Sequence, residues 1–112
     1  MQVSSRQVRK ATIFDVSGDI DLASSPELRN VLLRELRENR SLHVICNLSN
    51  VNYIDSSGIG ELVYAFTSVH NRQGELKLLH LTKKVKDLLQ ITKLYTVFDV
   101  HTDEATAVRS FR

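Results

Sequence analysis

The sequence predicts an α/β domain in which a mixed, mostly parallel sheet is packed with about four helices. Short apolar runs with a two-residue period alternate along the chain with longer segments whose apolar residues recur every three or four positions. Strands connected through helices usually pair in parallel by right-handed crossovers. Because 112 residues is the length of one compact domain, we expect a single domain over residues 1–112.

The first half of the chain predicts a strand pair, a helix and a buried strand. Residues 10–17 alternate apolar and polar side chains and contain several β-branched residues, which favours a strand. Leu28, Leu32 and Leu36 recur at helical spacing. Ser24 and Glu27 have the spacing of a capping box at the start of that helix. The predicted elements are a weaker strand over 2–8 that can pair antiparallel with 10–17, a helix over 24–39 and a strand over 42–48.

The second half continues the alternation. Ile59, Leu62 and Val69 mark one face of a helix that follows residue 55, and Gly74 is a typical C-terminal stop for it. The remaining predicted elements are a strand over 75–81, a short helix capped by Thr82, a strand over 95–100, and a terminal helix capped by Asp103 that extends to about Phe111. The predicted order is therefore β-β-α-β-α-β-α-β-α.

Charge and composition exclude several classes of function. Fifteen basic and thirteen acidic residues leave a net charge of +2, and the basic residues are dispersed. The densest group, Lys83, Lys84 and Lys86, falls on an amphipathic helix, where a solvated face is the ordinary expectation. We therefore expect no direct binding of nucleic acid.

The single cysteine, Cys46, excludes an intrachain disulfide and a zinc site made of several thiolates, and we expect it to be a packed, unreactive thiol. The apolar runs are too short to span a membrane, and the N-terminus lacks the apolar stretch of a secretory signal. We expect a cytoplasmic protein that needs no cofactor and no metal.

The most informative segment runs from Asp55 to Gly60, between a predicted strand and a predicted helix. Sites in α/β sheets lie at the carboxyl ends of the strands, where helix N-termini accept negative charge. The plain interpretation is structural, because Asp and Ser are preferred helix caps and glycine permits close packing. However, one cap needs one side chain, and Asp55, Ser56 and Ser57 stand together with two glycines.

The run NVNYIDSSGIGELV resembles the switch segment of STAS domains, specifically the bacterial anti-sigma factor antagonists of the SpoIIAA and RsbV type. The loop Gly18-Asp19-Ile20-Asp21 is similar to the family's Gly-acidic-aliphatic-Asp loop. Residues 42–54 resemble the family's apolar strand and its connection to the switch, and residues 74–94 resemble its later strand and helix. The resemblance covers about residues 9–110, which we take as the core of a STAS-like domain.

The resemblance implies a partner switch. The unphosphorylated antagonist would bind an anti-sigma factor that is also a serine kinase and thereby release the sigma factor. Phosphorylation would end this binding, and a serine phosphatase would reset the protein. Ser56 would be the acceptor. The implied partner-binding residues are Gly18, Asp19, Asp21, Ser24, Asp55, Ser56, Ser57 and Gly58. Asn47 departs from the acidic residue of many relatives.

Three other interpretations compete with the switch. An enzyme is not expected, because the Ser56 segment is not a Gly-x-Ser-x-Gly elbow and no spacing pairs a histidine with a carboxylate. A receiver domain would need a lysine after the last strand, and none follows residues 96–100. The remaining alternative is a STAS scaffold, nucleotide-binding module or lipid-transporter partner in which Ser56 is a contact without a kinase.

Overall fold

The computed structural model describes residues 1–38 and 42–111. Its elements follow the predicted order. They are β1 (Gln2–Val8), β2 (Ala11–Ser17), α1 (Ser25–Glu38), β3 (His43–Asn50), α2 (Ser56–Asn71), β4 (Glu75–Leu79), α3 (Lys83–Ile91), β5 (Asp99–His101) and α4 (Glu104–Arg109). Residue 39, the last of the predicted first helix, lies outside the described residues. No helix in the described ranges is long and apolar enough to cross a membrane.

The five strands form one sheet in the order β1-β2-β3-β4-β5. β1 pairs antiparallel with β2, as predicted, and the other three pairings are parallel. The carboxyl ends of β2 to β5 therefore meet at one edge of the sheet, called here the carboxyl edge. Their amino ends meet at the opposite edge, called the amino edge.

Both faces of the sheet are covered. Alternate residues of the strands, such as Phe14 and Cys46, pack with the buried stripes of α1, α2 and α3 in the larger apolar cluster. The intervening residues, such as Ile13 and Ile45, pack with Ala107 of α4 on the other face. This alternation confirms the period-two pattern that predicted the strand at 10–17. Cys46 is fully buried, and burial raises the pKa of its thiol to about 12, as expected for an unreactive cysteine.

The final strand was predicted at the wrong position. Residues 95–97 form a turn, and the strand covers only Asp99–His101. The N–H of Tyr95 donates to the carbonyl of Leu89 at 3.1 Å, so these residues close the end of α3 and do not extend a strand. β4 also ends at Leu79, two residues early, because His80 adopts a positive φ of 58°.

Three predicted caps have different roles in the structure. The Ser24 hydroxyl accepts a hydrogen bond from the Asp21 N–H at 2.9 Å and does not form the predicted capping box with Glu27. Thr82 occupies the N-cap of α3, but its hydroxyl donates to the carbonyl of Val51. The left-handed residue after α2 is Gln73 rather than Gly74. The N-cap predicted at Asp103 is confirmed by its 2.9 Å bond from the Thr106 N–H.

An ion-pair network joins β1, β2 and α4 on the α4 face. The Arg6 guanidinium donates to both carboxylate oxygens of Asp15 and to the carboxylate of Glu104. The Asn47 amide donates to Asp15 at 2.8 Å. Arg6, reinforced by Asn47, lowers the pKa of Asp15 below its ordinary value of 3.8, and Arg6 lowers the pKa of Glu104 below 4.5. Asn47 thus serves as a hydrogen-bond donor to the carboxylate beside it.

Arg6→Gln is expected to reduce the sensitivity of the fold to acid. A carboxyl whose pKa is lowered by folding stabilises the native state above its unfolded pKa, and this contribution is lost as pH falls through the folded pKa. The contribution of Asp15 and Glu104 is therefore present at neutral pH and disappears below their ordinary values of 3.8 and 4.5. Urea unfolding at neutral and acid pH measures it. Arg34→Gln, at an exposed position of α1, is the matched control; equal pH dependence in both variants would contradict the prediction.

Candidate functional site

A single bridge brings together the two predicted parts of the site at the carboxyl edge. Ile20 and Ile54 pair as an isolated parallel bridge, in which the Ile20 N–H donates to Tyr53 at 2.9 Å and the Asp55 N–H donates to Ile20 at 3.1 Å. The bridge continues the β2–β3 pairing after β2 has ended. The acidic loop (residues 18–24) therefore lies against the switch segment (residues 55–60), the juxtaposition that the predicted site requires.

Asp55 links these two segments through its carboxylate. It is the N-cap of α2, and its Oδ1 accepts the N–H groups of Ser57 at 3.0 Å and Gly58 at 3.2 Å. The Ser57 hydroxyl donates to the same oxygen. The other oxygen, Oδ2, accepts the N–H of Leu22 in the acidic loop at 3.1 Å. The Ser57 hydroxyl, followed by these backbone donors, lowers the pKa of Asp55, so its carboxylate is ionised at neutral pH.

Ser56 is the exposed residue of the Asp-Ser-Ser sequence. It is the first residue of α2, and its hydroxyl makes no hydrogen bond to any residue in 1–38 or 42–111. The Asp55 carboxylate, with the Ser57 hydroxyl bonded to it, caps the first turn of α2, and the Ser56 hydroxyl is left accessible to solvent. Of the three adjacent residues with capping side chains, Asp55 and Ser57 therefore form the cap and Ser56 is exposed.

The acidic loop is held in a tight turn by its own side chains. The Asp21 carboxylate accepts the N–H groups of Ala23 at 3.1 Å and Ser24 at 3.0 Å. The Ser24 hydroxyl donates to the carbonyl of Asp19 at 3.0 Å. Gly18 begins the loop with a φ of 89°, a conformation that favours glycine. Asp19 is exposed, and none of the described cations forms an ion pair with Asp19, Asp21 or Asp55.

Gly58 has a different role from Gly18, since it allows close packing. A Cβ at this position would lie 2.6 Å from Cγ2 of Ile20 and 2.7 Å from Cγ1 of Ile54. The first turn of α2 therefore rests directly on the bridge that joins the two segments. Apart from Gly60 itself, its two chain neighbours and the adjacent backbone of α2, no atom lies within 4 Å of the corresponding position at Gly60.

Exposed apolar side chains surround the site, and sequence reasoning missed them. Leu22 is 77% exposed, Tyr53 51% and Ile91 77%. Tyr53 and Ile91 line an open cleft of about 410 Å³ that also contains Ser56 and Leu88. The exposure of Ile91 could have been predicted, because this residue lies off the helical stripe of α3 that contains the buried Val85 and Leu89. No sequence pattern distinguishes Leu22 from a core leucine. Tyr64 of α2 is 45% exposed, and its ring lies under the Arg29 guanidinium.

The site supplies hydrogen-bond donors, carboxylates and one exposed hydroxyl. Within residues 1–38 and 42–111, no group of three or more His, Cys, Asp or Glu side chains is arranged to hold a metal ion. The polar groups that the described part of the site exposes most fully are the Ser56 hydroxyl and the Asp19 carboxylate.

Sequence comparisons identify similar proteins. The anti-sigma-B factor antagonist of Listeria monocytogenes is 32% identical over 101 residues, which cover 89% of this chain and 86% of that protein. The anti-sigma-B factor antagonist of Bacillus subtilis is 36% identical over 86 residues, which cover 77% of each.

Solved structures share the fold. Unphosphorylated SpoIIAA, an anti-sigma factor antagonist, superposes with a TM-score of 0.82 at 18% identity over 96% of this chain and 93% of its own. The phosphorylated SpoIIAA of Bacillus superposes with a TM-score of 0.75 at 16% identity over 96% of this chain and 97% of its own. A model of the STAS domain family matches residues 2–107. By this match and by its five-stranded mixed sheet with four helices, the chain belongs to the STAS domain family.

Proposed function

We propose that this protein is an anti-sigma factor antagonist controlled by phosphorylation of Ser56. Its unphosphorylated form binds an anti-sigma factor that is also a serine kinase, and this binding frees the sigma factor. The kinase transfers the γ-phosphoryl group of ATP to the Ser56 Oγ, which loses its proton, while ADP leaves, and the phosphorylated chain then dissociates from the kinase. A serine phosphatase hydrolyses the phosphoserine to inorganic phosphate and regenerates the binding form. The kinase and the phosphatase supply the catalysis, and this chain supplies the acceptor and the docking surface. The names of its relatives support the antagonist role.

The observation that supports this proposal most directly is that Asp55, Ser56 and Ser57 have different structural roles. Asp55 and Ser57 cap α2, while Ser56 is exposed. An acceptor hydroxyl must enter the active site of a kinase, and only the exposed serine of this pair can do so without breaking the cap. The acidic loop lies next to it and provides a second segment for docking.

The physical effect of the phosphate favours a switch of binding rather than of fold. A phosphoserine adds about −1.5 to −2 charges at neutral pH, here beside the Asp55 carboxylate. The N-terminus of α2 offsets part of this repulsion within the domain, by up to about 2 kcal/mol. A partner docked on Ser56 receives no such compensation and must also desolvate the phosphate. A loss of about 2.8 kcal/mol is enough to weaken binding a hundredfold.

The experiment compares Ser56→Ala with Ser57→Ala. The chain is incubated with ATP and each candidate anti-sigma kinase of its source, and intact mass with peptide mapping detects the product. We expect one phosphate on Ser56 in the unmodified chain and in Ser57→Ala, and none in Ser56→Ala. Ser57→Ala is the matched control because it removes a neighbouring hydroxyl that the structure uses for capping.

Two results would count against the switch. A phosphate on Ser57 that persists in Ser56→Ala would place the acceptor elsewhere. Tight binding to another protein, with no phosphorylation by any candidate kinase, would favour the scaffold or transporter-partner alternative.

The circular dichroism spectrum of the phosphorylated chain should match that of the unmodified chain, since α2 keeps its cap.

A further inference from the structure

A basic cleft lies at the amino edge, away from Ser56. It has a volume of about 760 Å³ and lies between the β1–β2 turn, the start of β3 and the end of α4. Its lining residues are Arg9, Lys10, Ala11, His43, Val108, Arg109 and Phe111. The proposed function does not use this cleft.

Arg9, Lys10 and Arg109 form no ion pair among the described residues, although Arg109 lies close enough to Asp103 to contribute to the lowered pKa of that carboxyl. The side chains of all three cations are exposed. The floor between them is apolar and aromatic. The rings of His43 and Phe111 stack with their centroids 4.7 Å apart. A concave apolar surface with a cationic rim fits an acidic segment that presents an apolar side chain.

The chain itself presents such a segment at its other edge. The acidic loop contains Asp19 and Asp21, neither of which forms an ion pair with a described cation. Leu22 follows Asp21 in this loop and is 77% exposed. β2 begins beside the cleft at Ala11 and ends beside the acidic loop at Ser17. Seven residues of strand separate the two features by roughly 20 Å, so one domain cannot bring them together.

We propose that the cleft formed by Arg9, Lys10 and Arg109 binds the acidic loop of a second copy of this chain. The contact joins the carboxyl edge of one copy to the amino edge of the next. It is heterologous, so one copy of such a pair keeps an unused cleft and the other keeps an unused loop, and longer chains can form. The contact covers part of the surface proposed to bind the kinase, and self-association therefore competes with kinase docking. Salt weakens the contact, because its charges are exposed.

The experiment measures self-association of the purified chain by sedimentation equilibrium, without a kinase. We expect the average mass to rise with protein concentration at low ionic strength and to return to that of the monomer in high salt. The double variant Lys10→Glu/Arg109→Glu should lower the association constant by about tenfold or more. Arg34→Glu is the matched control, since it reverses an exposed charge on α1, on the opposite face of the sheet. It should associate like the unmodified chain.

A mixing experiment tests the pairing of the two surfaces. Asp19→Lys/Ala23→Lys makes the loop basic but keeps Asp21, whose carboxylate forms the turn. Each double variant alone has like charges on both surfaces and should remain monomeric. Mixed together, the loop of either variant faces a cleft of opposite charge, and association should return. The proposal would be overturned if the unmodified chain stayed monomeric at low salt, or if Lys10→Glu/Arg109→Glu associated as strongly as the unmodified chain. It would also be overturned if the two folded double variants did not associate when mixed.

Discussion

Gly58→Ala is expected to lower the free energy of unfolding by about 1–3 kcal/mol, whereas Gly60→Ala is expected to raise it by about 0.5–1 kcal/mol. The added methyl at Gly58 meets Cγ2 of Ile20 at 2.6 Å and Cγ1 of Ile54 at 2.7 Å. Both isoleucines are buried, at 0% and 3% exposure, so neither can move aside without disturbing the core. The carbonyl of Ile20, 3.1 Å away, restricts any shift of the backbone.

The matched position at Gly60 has no such obstacle. Apart from Gly60 itself, its two chain neighbours and the adjacent backbone of α2, no atom lies within 4 Å of its Cβ position, and alanine favours the helical backbone there. Urea unfolding of both variants gives the comparison directly. If Gly58→Ala were as stable as Gly60→Ala, α2 could not be packed as closely on the Ile20–Ile54 bridge as the structure has it.

Leu22→Ala is expected to weaken binding of the anti-sigma kinase by about 10- to 100-fold while leaving thermal stability unchanged. Leu22 is 77% exposed, so its truncation opens no cavity in the domain. Its position next to the switch segment is set by the bond from its N–H to Asp55. An exposed leucine on an ordered backbone is a suitable anchor for an apolar pocket in a partner, and burial of such an anchor dominates interface energies.

Calorimetric titration of the kinase in the absence of ATP measures this effect without phosphorylation. Val97→Ala is the control, because Val97 is also exposed, at 45%, but lies in the turn between α3 and β5. We expect its dissociation constant to match that of the unmodified chain. Equal affinities for Leu22→Ala and Val97→Ala would remove Leu22 from the docking surface.

The order of the elements was predictable because local patterns determine it. The period-two alternation at 10–17 and the helical stripe of Leu28, Leu32 and Leu36 correspond to buried faces. The last strand was placed too early because residues 95–98 have strand-like side chains. In the structure the Tyr95 N–H bonds to the Leu89 carbonyl of α3, the Phe98 N–H bonds to the Leu94 carbonyl in the following turn, and both rings pack against the core. Propensity alone does not detect such tertiary bonds.

The site was predictable only in part. Asp55, Ser56 and Ser57 are adjacent in sequence, and their type alone indicates a helix N-terminus. The bond from Leu22 to Asp55 joins residues 33 positions apart and depends on the Ile20–Ile54 bridge, which lies outside the regular strands. The exposure of Leu22 likewise follows from the turn built by Asp21. Pattern reading does not reveal such contacts.

The carboxylate of Asp55 has a thermodynamic consequence for recognition. Because one side chain bonds to both the first turn of α2 and the acidic loop, these segments are ordered together when the domain folds. Association usually includes an entropic cost for fixing loops at the interface, and rigid surfaces avoid much of it. A partner of this surface therefore binds a preorganised face, and its affinity is not reduced by the cost of ordering a mobile loop.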